Sequence, residues 1–191
     1  MNLLGRGENE KSKFFLPISI LGGLFLSSCL PPSNNPVSQS GGSLVPIAPY
    51  LGVWNLIEIG DEPTDTGLSL EVIEDAGTYE AHVSNGTKTT VDTFQITEVG
   101  GRIIVSIEHR ENNWNIMEAV LESQGNRLVL RSMDKIRLKE AIESDSLPGK
   151  IIAWTERDKL VRITATGAEL RTYIANESNL FVDLWKFEKA Q

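Results

Sequence analysis

The residue types that most often carry out catalysis are few in this chain and stand far apart. Its 191 residues include one cysteine, Cys29, and two histidines, His82 and His109. A nucleophilic serine or cysteine needs a base within hydrogen-bond reach, and the chain has no Gly-x-Ser-x-Gly turn to present a serine. His82 falls on the polar side of an alternating segment, together with Glu80. The sequence therefore predicts no catalytic residue and a protein that is not an enzyme.

The residues that bind metals are no better arranged. Zinc sites use closely spaced Cys and His pairs, and the chain has no His-x-x-x-His pair and no second cysteine. One acidic segment offers hard oxygen ligands of the kind that Ca²⁺ prefers, namely Glu58, Asp61, Glu62 and Asp65. This segment lacks the alternating ligands and the terminal glutamate of an EF-hand loop, so we interpret it as a solvated acidic loop. We predict no metal and no cofactor.

The overall charge limits the classes of partner that this protein is expected to bind. There are 26 Asp and Glu residues against 18 Lys and Arg, a formal net charge of −8. Binding to the phosphate backbone of nucleic acid needs concentrated Lys and Arg, so we predict no nucleic-acid partner. The hydrophobic fraction of 40% is typical of a globular domain rather than of a disordered chain.

The first 28 residues have the order of an export signal. The basic flank Lys11-Ser12-Lys13 precedes a run from Phe14 to Leu26 that is apolar apart from Ser19. As a helix this run would be about 20 Å long, which is too short for a hydrocarbon core of about 30 Å. The pattern predicts a cleavable signal peptide over residues 1–28 and not a permanent transmembrane helix.

The cysteine lies at the end of this run, in Leu26-Ser27-Ser28-Cys29. This motif resembles the lipobox of bacterial lipoproteins, with an aliphatic residue and two small residues, Ser27 and Ser28, before the cysteine. The resemblance implies cleavage before Cys29 and attachment of a diacylglycerol and a further acyl group to it. Leu30 is not the aspartate that would resemble an inner-membrane retention signal. We expect a lipid anchor in the cell envelope, on the periplasmic face of the outer membrane, with a non-lipidated secreted form as the alternative.

Residues 29–48 have the composition of a tether and precede a single domain at 49–191. The segment is rich in proline, glycine, serine and asparagine, including Gly41-Gly42, and has little apolar area to offset the entropy of ordering. As a flexible coil it would reach about 25 Å from the membrane surface.

The domain alternates apolar and polar residues in short runs separated by turn residues, which predicts strands. Such runs cover 52–59, 68–74, 77–84, 90–98, 102–109, 114–123, 126–133, 150–156 and 159–165, with a return strand over 180–187. The predicted fold is mainly β, an antiparallel meander that forms a barrel, with a β-sandwich as the alternative. Two short helices are predicted, from Asp134 to Ile142 and after the capping box Thr166–Glu169, and we expect them to cover a barrel end.

The segment Gly52-Val53-Trp54 resembles the Gly-x-Trp signature at the first strand of lipocalins and related barrels. With the lipobox, tether and meander, it resembles bacterial lipocalin-like lipoproteins. The resemblance implies a barrel interior that binds a small apolar ligand or lipid. Aromatic side chains are candidates for interior ligand contacts, namely Trp54, Tyr79, Phe94, Trp114 and Trp154. Two alternatives stay open: a filled barrel that docks another envelope protein, and an envelope enzyme whose cleft joins residues distant in sequence.

Overall fold

The computed structural model describes residues 26–27, 37, 45–75, 78–110 and 113–191. The predicted lipidation site Cys29 and most of the predicted signal peptide and tether lie outside the described residues. The described residues form twelve strands and two α-helices. The strands are β1 Leu26–Ser27, β2 Gly52–Ile59, β3 Glu62–Pro63, β4 Ser69–Asp75, β5 Thr78–Ser84, β6 Thr89–Val99, β7 Arg102–Arg110, β8 Asn113–Glu122, β9 Arg127–Met133, β10 Gly149–Trp154, β11 Lys159–Ile163 and β12 Phe181–Lys189; the helices are α1 Lys135–Glu143 and α2 Gly167–Asn176.

Eight of the strands close into an antiparallel barrel. Their order is β2–β4–β5–β6–β7–β8–β9–β12, and β12 pairs with β9 on one side and β2 on the other. Phe187 stands at the closure, opposite Leu56 of β2 and Leu128 of β9. The predicted mainly β barrel is confirmed, and the β-sandwich alternative is not the fold. Each predicted strand is present with both ends within two residues of the prediction.

Turn residues set the connections between neighbouring strands. At the β5–β6 hairpin the Asn85 side chain accepts hydrogen bonds from the backbone of Thr87 and Lys88, at 3.1 and 2.9 Å. Between β6 and β7, Gly100 has a φ of +59°. A Cβ added at Gly100 would lie 2.7 Å from the Cβ of Ala175 in α2, so this turn needs glycine for its backbone angle and for its close approach to the helix.

The strand alternation divides the apolar side chains between two cores. The inner core fills part of the barrel: Ile47, Trp54, Leu56, Leu70, Val72, Phe94, Ile107, Met117, Ala119, Leu128, Leu130 and Phe187. The outer core lies against the outside of the β6–β9 wall: Val37, Val99, Ile104, Trp114, Ile116, Met133, Leu138, Ala141, Leu147, Val161, Ile163, Ala165, Leu170, Ile174 and Leu180. Neighbours in one strand therefore serve different cores, as Ile116 and Met117 do in β8.

Both helices and the β10–β11 hairpin form an outer layer on that wall. Leu138 of α1 and Leu170 and Ile174 of α2 are buried in the outer core, not in the barrel interior. The expectation that the helices cover a barrel end is therefore wrong. The physical reason is that β7 and β8 carry apolar side chains on both faces, so the outward ones, such as Ile104, need cover from water.

The two helix starts are as predicted from local sequence. The Asp134 side chain accepts a hydrogen bond from the backbone of Ile136 at 2.8 Å and caps α1. The capping box of α2 is confirmed: the Thr166 hydroxyl accepts from the backbone N–H of Glu169 at 3.3 Å, and the Glu169 carboxylate accepts from that of Thr166 at 2.7 Å. The hydrogen bonds from the Thr166 backbone and side chain lower the pKa of Glu169 below its ordinary value.

A row of charges crosses the outer surface of the barrel wall. Glu118, which is 8% exposed, lies between Arg102 and Arg131 at 3.6 and 3.5 Å. Arg131 also donates to Asp183 at 2.7 Å, and Asp183 faces Lys186 at 3.7 Å. Partial burial lowers the pKa of Arg131, but the hydrogen bond and charge of Asp183, together with Glu118, raise it overall. The outer charges of this row are thus paired across adjacent strands.

The packed part of the chain begins before residue 49. Val37, Val45 and Ile47 belong to the segment predicted as a tether, and all three are buried. The backbone of β1 runs antiparallel to the start of β8, with Leu26 opposite Trp114.

Candidate ligand-binding cavity

The barrel encloses a cavity of about 370 Å³. Such a volume falls in the range of small-molecule sites, about 300–1,000 Å³. Most of its lining is apolar, contributed by the inward residues Ile47, Leu56, Ile59, Leu68, Leu70, Val72, Ala81, Val83, Phe94, Ile96, Val105, Ile107, Met117, Ala119, Leu128, Leu130, Trp185 and Phe187. Five lining residues have hydroxyl, amide or carboxylate groups: Tyr50, Thr66, Asn85, Thr90 and Asp92.

One end of the cavity is closed by the segment just before β2. A turn of 3₁₀-helix, Ala48–Tyr50, places Ile47 and Tyr50 in the lining. The indole N–H of Trp54, which is fully buried, donates to the carbonyl of Tyr50 at 2.8 Å and fixes this turn on the barrel. The Lys189 ammonium of β12 lies 5.1 Å from the Trp54 ring centroid, within the range of a cation–π contact. Burial raises the pKa of the Tyr50 phenol.

The polar lining residues other than Tyr50 gather at the opposite end, around the β5–β6 hairpin and the loop before β4. Along β6 the inward side chains run Thr90, Asp92, Phe94, Ile96, from polar at the hairpin to apolar inside the barrel. Asp92 stands opposite Ala81 of β5. The cavity is therefore amphipathic, with an apolar body and one polar end.

Three of the aromatic residues predicted for the interior belong to the barrel. Phe94 lines the cavity, and the ring of Tyr79 packs on it with the centroids 5.7 Å apart. Trp54 belongs to the inner core and Tyr79 packs against it, and neither residue lines the cavity. Trp54 supports the closed end instead.

Trp114 and Trp154 do not lie inside the barrel, and their predicted place there is corrected. Trp114 is buried in the outer core, and Trp154 of β10 packs against that core from the outer layer. The Lys139 and Lys159 ammonium groups lie 5.5 and 5.9 Å from the Trp154 ring centroid. The prediction failed because Trp114 has an outward register in β8 that places it with Ile116 rather than with Met117.

The predicted interior contacts did not include three lining residues with distinctive chemistry, Trp185, Tyr50 and Asp92. Trp185 shares the inward face of β12 with Phe187. Asp92 lies two residues before Phe94 and two after Thr90, so the alternation of β6 could have placed its side chain inward. Tyr50 precedes the first predicted strand and gave no periodic signal.

Of the two histidines, the structure describes the side chain of His82, which does not line the cavity. His82 faces outward on β5, where its imidazole pairs with Glu80 at 2.8 Å. Within the described part of the chain, no group of three Cys, His, Asp or Glu side chains is arranged to hold a metal ion. Neither described helix has the length and apolarity that crossing a bilayer requires.

Fold and cavity together define a closed antiparallel β-barrel with an apolar interior space, consistent with a lipocalin-like barrel. Comparison with protein-family models, with curated proteins and with solved structures found no match.

Proposed function

We propose that this protein binds a small apolar molecule, or part of a lipid, inside its barrel. The supporting observation is the cavity of about 370 Å³ with its apolar walls. A water molecule inside a protein needs two to four polar partners, which most of this lining does not offer. An apolar ligand gains from leaving water and contacts walls that are already in place.

The cavity favours this function over the second candidate, a docking module with a filled core. Protein interiors are usually close-packed, with few voids larger than a water molecule. The outer core of this chain follows that rule, with Leu138 and Ile174 fully buried. A barrel that served only as a rigid support would gain stability from filling its interior in the same way.

For the cellular location we propose a lipid anchor at Cys29 in the bacterial envelope, on the periplasmic side of the outer membrane. This proposal rests on the lipobox at residues 26–29 and the apolar run that precedes it. Several acyl chains at one residue give stable anchoring, whereas one chain binds a membrane only marginally. The barrel would then hold its ligand close to the membrane surface.

Ligand binding is tested by filling the cavity. Ala81 lines it, so Ala81→Phe would place a ring in the space that the ligand takes. The matched control is Thr93→Phe, which is exposed on the next strand beside Asp92. We expect the wild type and Thr93→Phe to bind the neutral probe N-phenyl-1-naphthylamine in a fluorescence titration, and Ala81→Phe to lose about tenfold or more in affinity. Equal affinity of all three proteins, or no binding by the wild type, would contradict the proposal.

Native mass spectrometry of the protein purified from its host adds an independent observation. A carried apolar compound that is absent from Ala81→Phe would support the proposal. The anchor has its own test, in which cells expressing wild type or Cys29→Ala receive labelled palmitate. We expect label in the wild type only, and unchanged labelling of Cys29→Ala would overturn lipidation at this residue.

A further inference from the structure

The lining of the apolar cavity contains one carboxylate, that of Asp92, which has no partner among the described residues. Asp92 points inward from β6, between Thr90 and Phe94 in the row of inward side chains. Its side chain is partly buried, and among the described residues none donates a hydrogen bond to it or forms an ion pair with it. On the outer surface of the barrel, by contrast, Glu118 and Asp183 both pair with arginine.

The neighbouring polar side chains at this end are already engaged. The Asn85 side-chain oxygen accepts from the Lys88 backbone at 2.9 Å within the hairpin. The Thr66 hydroxyl accepts from the Leu68 backbone at 3.3 Å, and the Thr90 hydroxyl donates to the Val83 carbonyl at 3.5 Å. Asp92 is therefore the strongest acceptor that this end of the cavity offers to a ligand.

The Asp92 carboxylate, partly exposed at the polar end of the cavity, can be paired by a hydrogen-bond donor or a positive charge that reaches it. Among the described lining residues there is no Lys or Arg to do so. A ligand with an anionic head would be repelled by Asp92, whereas a protonated amine would form a charge-assisted hydrogen bond with it. The net charge of −8 acts in the same direction, since an acidic protein attracts cations and repels anions.

We propose that the ligand is an amphiphilic amine, with its apolar chain inside the barrel and its ammonium group on Asp92. The inference rests on the proposed function and deepens it by naming the chemistry of the head group. The chain contacts the apolar lining around Phe94 and Met117 and extends toward the closed end. The ammonium group stays at the polar end, where water can reach it.

The test compares three probes that share one chain length and differ in the head group: decylamine, 1-decanol and decanoic acid. Each is titrated by isothermal calorimetry near neutral pH into purified full-length protein, below the concentration at which the probe aggregates. We expect decylamine to bind about tenfold more tightly than decanol, and decanoic acid to bind weakest. Asp92→Asn keeps the shape of the side chain and removes its charge, so it should reduce decylamine affinity by about the same factor and leave decanol unchanged.

The matched control is Glu71→Gln, which removes an equal charge from an exposed position on β4. It should keep the preference for decylamine, because Glu71 does not line the cavity. Decanoic acid binding as tightly as decylamine, or an amine preference that survives in Asp92→Asn, would overturn the inference while leaving apolar binding intact. Failure of all three probes to bind the wild type would overturn the proposed function and the inference with it.

Discussion

The two faces of the barrel wall formed by β7 and β8 are both apolar, yet the outer face is closely packed and the inner face borders a cavity. On the outside, Ile104 and Ile116 are covered by α1, α2 and the β10–β11 hairpin and belong to a filled core. On the inside, Val105 and Met117 face a cavity. The side chains are of similar type and adjacent in sequence, so composition does not explain the difference. What differs is whether another segment of the chain reaches the face.

The charged groups of the two faces also differ in whether the protein supplies them with a partner. Glu118 on the outside lies between Arg102 and Arg131, while Asp92 on the inside has no partner among the described residues. Asp92 is partly exposed rather than buried, so its carboxylate is accessible from the cavity. The outer face therefore stabilises the fold through packing and ion pairs, and the inner face is the one that the proposed ligand would contact.

The largest effect should come from substituting the neighbours Ile116 and Met117 in β8, one on each face. Ile116→Ala should lower the free energy of unfolding by about 4 kcal/mol, because its closely packed neighbours leave a new void. Met117→Ala should cost about 2 kcal/mol, since the Met117 side chain already borders empty space. Urea denaturation of both variants measures the difference.

Ligand titration of the same two proteins gives the control. Met117→Ala should change the affinity for N-phenyl-1-naphthylamine, and Ile116→Ala should not. Equal losses of stability together with unchanged binding in both variants would mean that the two faces are packed alike.

A smaller effect is expected from the charge row on the outer surface. Glu118→Gln keeps the shape of the side chain but leaves Arg102 and Arg131 without the carboxylate between them. We expect a loss of about 2 kcal/mol in the free energy of unfolding, below the range for fully buried pairs because both arginines are partly exposed. Chemical denaturation at low and moderate salt measures it.

The control is Glu140→Gln, which removes an exposed pair with Arg137 at 3.1 Å. It should cost less than about 0.5 kcal/mol and become neutral in salt. If Glu118→Gln were equally mild, the outer charges would contribute no more than ordinary surface pairs.

The capping box of the outer layer should contribute less again. Thr166→Ala removes the hydroxyl that caps α2, and such caps are worth about 1 kcal/mol. The pKa of Glu169 is lowered in the folded protein, so its contribution is complete above the ordinary pKa of a glutamate and disappears as the pH falls through the lowered value. Thr166→Ala removes the side-chain hydrogen bond to Glu169 but keeps the larger backbone one, so it should also flatten part of the loss of stability with acid.

Thr172→Ala is the matched control in the same helix. The Thr172 hydroxyl donates to the carbonyl of Ala168 at 2.9 Å, and alanine is the better helix former at an internal position. Stability measured by thermal unfolding at neutral and acidic pH should stay constant or rise slightly in this variant. A larger loss in Thr172→Ala than in Thr166→Ala would contradict the role of the cap.

The tryptophan substitutions should have the smallest effect on stability, and the fluorescence of the remaining tryptophans should report most locally on the interior. Trp185 lines the cavity, whereas Trp154 belongs to the outer layer. We expect ligand binding to change the emission of the wild type and of Trp154→Phe, and to change that of Trp185→Phe far less. A response that is lost in Trp154→Phe and kept in Trp185→Phe would place the ligand outside the barrel.

The strands could be predicted because each barrel strand has an inner face with a period of two. The helix starts could be predicted because caps are local: Asp134 and Thr166 lie immediately before the turns that they stabilise. The position of α1 and α2 on the barrel could not be predicted. An amphipathic helix shows that one face is buried, but its sequence does not say which of two apolar surfaces will cover it.

The site was predictable only in part. Alternation suggests that Phe94 and Asp92 share a face of β6, and the structure places both in the cavity lining. Alternation could not predict that Met117 faces inward and Trp114 outward. Both faces of β8 are apolar, and the period of two alone does not say which face is inside.

The sequence by itself determined the acidic charge, the sequence motif around Cys29 and the order of strands and turns. These are properties of composition or of short-range pattern, and each is contained in a few neighbouring residues. Only the tertiary structure decided that the outer face is filled and the inner one open, and that Asp92 lines the cavity without a partner among the residues that the structure describes. Both features depend on the combined volume and charge of side chains that eight strands bring together in the barrel. No single segment of the sequence contains that information.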